Sequence, residues 1–280
     1  LWSDGDVPTT SEQFAAHDLE VLCAHAVAVA REAAALAVSI RADGLSSVGT
    51  KSSETDVVTA GDTAAERLIR TRLGELTPGV PVLGEEEGGA EPASGLCWVV
   101  DPIDGTVNYL YGSPWYAVSV AAQVDGVSVA GAVVEPVSGR VWSATLGGGA
   151  WLDGRALRVS DAARMELALV ATGFNYSTER RVRQGAVWGR MVGRVRDVRR
   201  AGASSLDLCS VAAGWVDAYV EHGLHRWDWA AGALIAAEAG AVVRLPGGGD
   251  GLGDDAVYVA APGIADVLRN ALVESGIGAV

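Results

Sequence analysis

The five apolar residues at 96–100 run straight into Asp101, and Pro102-Ile103-Asp104-Gly105-Thr106 then returns a second carboxylate within three positions. A short apolar run bounded in this way reads as a buried strand that delivers acids to the edge of a sheet. Pro102 is expected to force a turn, so that both carboxylates face one point, and Gly105 to allow close backbone approach. The amides beyond it are expected to open a helix whose unpaired N–H groups attract phosphate. Taken alone, Asp-Pro-x-Asp-Gly is only a turn with a helix cap. Two further acidic ends shift the balance. Glu85, Glu86 and Glu87 follow the strand-like run 80–83, and Asp228 stands between Trp227 and Trp229 ahead of the helical stretch 230–239. By itself a glutamate run is ordinarily a solvated face. An Asp before an apolar helix is ordinarily an N-cap, a role compatible with metal ligation.

Around these ends the chain has the makings of an ordered fold. With 280 residues, 49% of them hydrophobic, it can bury a large core in one compact unit of two halves, 1–160 and 161–280. Apolar Leu22, Ala26, Val29, Ala33, Leu36 and Ile40 recur at helical spacing, with a capping box at 10–13 and a stop at Asp43-Gly44. A second helix is predicted from about Asp62 to Leu76. Runs 116–124 and 127–134 flank Asp125-Gly126, a hairpin signal, so the first half is predicted to hold an antiparallel or mixed sheet with helices. Strand-like runs at 167–171, 216–220, 241–243 and 257–261, separated by helical stretches, make the second half α/β. The Gly-rich stretches 147–149 and 246–253 read as loops.

A net charge of −14 and the absence of a basic stripe argue against nucleic-acid binding and turn attention to cations. Cys23, Cys97 and Cys209 are odd in number and each sits in an apolar stretch, which predicts buried thiols in a reducing, cytoplasmic setting. Neither export nor membrane insertion is expected: residues 1–18 lack a basic start, and His25, Arg31 and Glu32 interrupt the most apolar stretch.

Convergent carboxylates suit phosphate-ester hydrolysis, where the ester is anionic, hydroxide is scarce and charge builds on attacking and leaving oxygens. Magnesium prefers oxygen ligands, and paired ions roughly 3.5–4 Å apart can activate water and stabilise the leaving oxygen. A haloacid-dehalogenase-type mechanism would need a nucleophilic Asp two residues before Asp104, where Pro102 stands. No G-x-S-x-G elbow or Walker loop occurs, and His17, His25, His222 and His225 form no zinc pattern. His222 and His225 are expected to pack or to line the site's mouth.

Gly84-Glu85-Glu86, the segment Trp98 to Thr106, and Trp227-Asp228 with Ala230, Ala231 and Gly232 together resemble the signatures of the inositol monophosphatase family. The stretch from Lys51 through Asp56 and Thr59 to Asp62, and that from Arg199 through Gly202, Asp207 and Cys209 to Glu221, are similar to its upstream and substrate-side regions. The resemblance covers nearly everything but the N-terminal tail. It implies a layered α-β-α-β-α fold of α+β and α/β halves, often a homodimer, and two or three magnesium ions that lithium can displace.

By position, the resemblance places Glu85, Asp101 and the Ile103 carbonyl on one ion and Asp101, Asp104 and Asp228 on a second. A third, weaker ion would lie near Glu85 and Glu86. Asp62 and Thr106 would orient and help deprotonate a metal-activated water that attacks phosphorus directly, and the Gly105 and Thr106 amides would grip phosphate oxygens. Asp104, Asp228, Glu221 and the segment Gly202, Ala203 and Ser204 would lie on the substrate side. Lys51 would support the carboxylate loop or remain a surface lysine. Inositol 1-phosphate is the expected substrate. Histidinol phosphate, fructose 1,6-bisphosphate and a 3′-phosphoadenosine nucleotide are the alternatives within the family, and a non-catalytic interaction protein is the alternative outside it.

Overall fold

The computed structural model describes residues 16–44, 48–50, 57–89 and 94–280, so the capping box expected at 10–13 and Lys51 lie outside the described residues. Helix α1, Ala16–Ala42, and helix α2, Ala60–Leu76, flank a short antiparallel pair, β1 (Val48–Thr50) and β2 (Val57–Thr59). Leu22, Ala26, Val29 and Ala33 of α1 pack with Ile69 and Leu73 of α2. Towards its end the buried line of α1 swings to Ala37, leaving Leu36 and Ile40 half-buried. By length and composition the span Asp18–Ala42 could cross a membrane. Here its apolar side is seated on a sheet.

That sheet holds seven strands in chain order: β3 (Val82–Gly84), β4 (Leu96–Asp104), β5 (Ala117–Val124), β6 (Val127–Val134), β7 (Val141–Thr145), β8 (Gly149–Leu152) and β9 (Arg155–Ala156). Only β3 and β4 run parallel, so the sheet is mixed. Asp125 and Gly126 both take positive φ, 50° and 83°, as a two-residue hairpin turn requires. Strand alternation splits β4 between two cores. Trp98 and Val100 face α1 and α2, whereas Cys97 and Val99 face the middle of the molecule. Gly149, expected in a loop, instead begins β8.

A second sheet has the order β11-β10-β12-β14-β13, with β10 (Leu169–Thr172) parallel to β11 (Asp197–Arg199) and β12 (Ala218–His222). Strand β14 (Ala256–Ala260) is antiparallel to β12 and to β13 (Val242–Arg244). Between the sheets lie helices α5 (Ser204–Ala212) and α6 (Arg226–Glu238). Their Leu206, Leu208 and Ile235 share a core with Val133 of the first sheet and Val257 of the second. On the far side, Trp188 and Met191 of α4 (Thr178–Met191) and Leu268 and Leu272 of α7 (Ala265–Glu274) pack on Val170, Val220 and Tyr258. The layers therefore run α-β-α-β-α, as the resemblance implied. Cys97 and Cys209 are buried and Cys23 is half-buried, all three as free thiols.

Candidate active site

The acid-bearing ends meet where the two sheets and the middle helices adjoin. Strand β4 continues through Pro102 to Asp104 rather than stopping at a turn. Its pairing with β5 instead shifts register between Asp101 and Asp104. Strict alternation would send two residues three apart to opposite faces, and this irregularity brings them together. Within the bend Asp101 Oδ1 accepts the Ile103 N–H at 3.0 Å. Asp104 Oδ1 and Oδ2 accept the backbone N–H groups of Ser204 (3.1 Å) and Ser205 (2.7 Å), so the positive end of α5 faces this carboxylate. Gly105 caps the six-residue helix α3, Thr106–Tyr111, at φ 91°. A Cβ there would sit 3.1 Å from the Gly202 carbonyl oxygen.

Helix α6 starts at Arg226, four residues before the expected stretch, and this changes the reading of Asp228. It is the third helical residue rather than the N-cap, and its Oδ2 accepts the His225 N–H at 2.6 Å. Asp62 repeats the arrangement. Helix α2 begins at Ala60 with Thr59 as N-cap, and Asp62 Oδ2 accepts from the Thr59 N–H (2.8 Å) and hydroxyl (2.5 Å). Its other oxygen accepts from Thr106 Oγ1 at 3.1 Å.

Ligand oxygens of Asp101, Asp104 and Asp228 lie within 4.8 Å of one another. Glu85, in the turn after β3, comes within hydrogen-bonding reach of Asp101. Burial, reinforced by the neighbouring carboxylates, holds Asp101 and Asp228 well above the usual carboxylate range. Asp104 is pushed up to about 6 by burial, against the lowering effect of its serine partners. Burial likewise raises Asp62, opposed by its bonds from Thr59 and Thr106. Such acids cannot all ionise side by side without a cation. The cluster offers oxygen donors only, which suits magnesium and not a zinc site built from His or Cys.

A cavity of about 410 Å³ opens over these residues, with Gly202, Ser204, Glu221, His222, His225 and Trp227 on its wall. His222 is buried with Nε2 2.6 Å from the Leu252 oxygen, and His225 stacks on Trp227 with ring centroids 4.9 Å apart. Ala203 is buried beneath the wall, near Gly105. The Ser204 hydroxyl lies 3.3 Å from Asp104 Oδ1 and 3.2 Å from the Asp228 carbonyl oxygen. Glu86 does not line the cavity; its amide is held by Glu66. A second cavity, beside α1 and Trp151, lacks the convergent acids.

Glu221 accepts the Tyr219 hydroxyl at 2.6 Å and is pushed up to about 7 by burial, against the lowering effects of that bond and of Arg200. It also abuts Gly173, where a Cβ would lie 1.8 Å from Glu221 Oε2. Tyr219, Gly173, Ser205 and Glu66 escaped the sequence reading, and Thr59 entered it only within the upstream resemblance, with no role of its own. Signals existed for three of them. Tyr219 stands two positions before Glu221 on one strand face, Thr59 three before Asp62 in a capping box, and Glu66 one helical turn after it.

A family model described as "Inositol monophosphatase family" matches residues 18–277. An inositol-1-monophosphatase of Mycobacterium leprae is 53% identical over 256 residues, covering 86% of this chain and 87% of its own. A protein named Nus factor SuhB from Pseudomonas aeruginosa is 43% identical over 195 residues, covering 67% of this chain and 72% of its own. The solved structure of Mycobacterium tuberculosis SuhB superposes with TM-score 0.80 at 46% identity, covering 92% of this chain and 98% of that one.

Proposed function

The chain belongs to the inositol monophosphatase family, and from that premise we propose that it is a magnesium-dependent hydrolase of small phosphate monoesters, with inositol 1-phosphate as substrate. The observation that carries the reading is the meeting of Asp101, Asp104 and Asp228, from a strand and a helix more than 100 residues apart, in one buried cluster. Asp101, Asp104, Asp228, Glu85 and the Ile103 carbonyl would hold the metal. Bound there, magnesium would neutralise phosphate charge and make a water nucleophilic.

The chain's own residues would do the rest. The Thr106 hydroxyl donates to Asp62 or to the Ile103 carbonyl, each at 3.1 Å. It can therefore accept a proton from an attacking water as its own passes to Asp62, whose raised pKa makes it a competent base. The Gly105 and Thr106 amides, at the start of α3, would bind phosphate oxygens. Glu221, held by Tyr219, would receive a hydroxyl of the polyol, while the wall near His225 and Trp227 would bound the leaving group. We assign the boundary near residue 160, a homodimeric state and a cytoplasmic setting to the same proposal.

Phosphate release from inositol 1-phosphate, histidinol phosphate, fructose 1,6-bisphosphate and a 3′-phosphoadenosine nucleotide tests this reading. Turnover should vanish in chelator, return with magnesium, fall at millimolar lithium, and drop about a hundredfold or more in Asp101→Asn. Full activity in chelator would refute the metal. A preference for another of the four would replace the substrate.

A further inference from the structure

On α2, Asp62, Glu66 and Arg70 stand one helical turn apart in succession. Asp62 faces Thr106, while the other two reach towards the turn that carries Glu85. Glu66 is fully buried, and its two oxygens accept the backbone N–H groups of Glu86 (2.6 Å) and Glu87 (3.0 Å). Arg70 donates through Nε to Glu66 Oε1 at 2.8 Å, through Nη1 to the Val82 carbonyl at 2.9 Å, and through Nη2 to the Gly88 carbonyl. The turn closes on itself where the Gly84 N–H donates to the Gly88 oxygen at 3.0 Å. There is no slack in this packing: a Cβ on Gly84 would lie 2.3 Å from Glu66 Oε1 and 2.9 Å from Arg70 Nη2.

A buried carboxylate has every reason to find donors, but these are the amides directly after Glu85, and the guanidinium that neutralises it also holds both ends of the turn. We propose that Glu66 and Arg70 are positioning residues that clamp the turn 84–88 before metal arrives, so that Glu85 is already aimed at Asp101. Without the clamp, ordering that turn would be charged against metal binding; with it, the ordering is complete on folding. The inference rests on the magnesium reading of the site. It extends that reading to residues that touch neither the ion nor the phosphate.

Two measurements test it. In the first, amide hydrogen exchange is followed in the wild-type protein in chelator. The Glu86 and Glu87 amides should exchange at least about tenfold more slowly than in an unstructured chain. Exchange at the unstructured rate, with protection appearing only on adding magnesium, would overturn the proposal. In the second, calorimetric titration with magnesium is run on Glu66→Gln, whose side-chain NH2 would face a backbone donor, and on Gly84→Ala, which pushes the clamp from the other side. Either variant, once shown to be folded, should bind magnesium about tenfold more weakly, with substrate KM at saturating magnesium within about twofold of wild type. Wild-type magnesium affinity in a folded variant would overturn it. So would losses in KM and magnesium affinity of equal size, which would mean general damage. If neither variant folds, the exchange measurement decides. Because hydrogen exchange and the magnesium titration read local order and metal binding without turnover, a wild type that hydrolyses none of the four phosphates would sink the reaction and not the clamp.

Discussion

Asp62 and Asp228 each close the first turn of the helix that carries them, so their directions are set by backbone donors before any ligand is present. Glu221 is placed differently, by the Tyr219 phenol on one side and the bare Cα of Gly173 on the other. Tyr219→Phe should raise the KM for inositol 1-phosphate about tenfold, a hydrogen bond to a charged group being worth about 1.5–3 kcal/mol, while leaving an aryl phosphate without neighbouring hydroxyls unaffected. The acid limb of the KM profile should also move to higher pH, because that bond opposes the effect of burial on Glu221. Equal changes for both substrates would deny Glu221 a role in selectivity. Asp101, Asp104 and Asp228 were legible because acids at the ends of apolar runs are conspicuous. Gly173 was not, because its importance lies in what it touches, and Tyr219 was signalled only by its place two positions before Glu221 on one strand face.

Among the elements, the first turn of α2 joins stability to chemistry. Thr59 Oγ1 accepts the Gly61 N–H at 3.1 Å and donates to Asp62, so one hydroxyl caps the helix and orients the carboxylate paired with Thr106. Thr59→Ala should lower unfolding free energy by about 1 kcal/mol in urea titrations and reduce kcat, and Thr59→Ser should restore both. Loss of stability with unchanged kcat would separate the cap from the reaction. Strand β4 shows the limit of reading elements from sequence. The helix after Gly105 and the Asp125-Gly126 hairpin could be read from local rules, whereas Pro102 was misread as a turn. Proline lacks an N–H and so breaks regular pairing, but flanking pairs with β5 at Asp101 and Asp104 hold the strand together and turn the break into a register shift.

For the whole molecule, the acid cluster sets protons against folding. Unfolded aspartates ionise near pH 4, while burial raises Asp101, Asp104 and Asp228 in the folded state. Between those values the native metal-free protein holds more protons than the unfolded chain, so its stability falls as pH rises. For Asp104 that window ends near about 6, and the other two carry it higher. With chelator present, the melting midpoint should therefore rise as pH is lowered from about 7 to about 5. Magnesium should raise the midpoint more at the upper end of that interval, because it binds the ionised acids. A chelated protein whose midpoint falls on acidification, or a magnesium increment larger at the acid end, would contradict this account.

Local patterning determined the existence and type of the main elements and the identity of the acids, because periodicity, turn chemistry and polar interruption of apolar runs are properties of neighbours along the chain; the layered class came from the family resemblance that the motifs carry. Tertiary structure decided what those neighbours could not: that Asp104 meets the N-terminus of α5 one hundred residues on, that Asp228 joins it from α6, and that Glu66 grips the amides after Glu85. Each of these depends on burial. A carboxylate taken out of water must find donors or a cation wherever the packing of two sheets leaves them, and only the packed molecule specifies where that is.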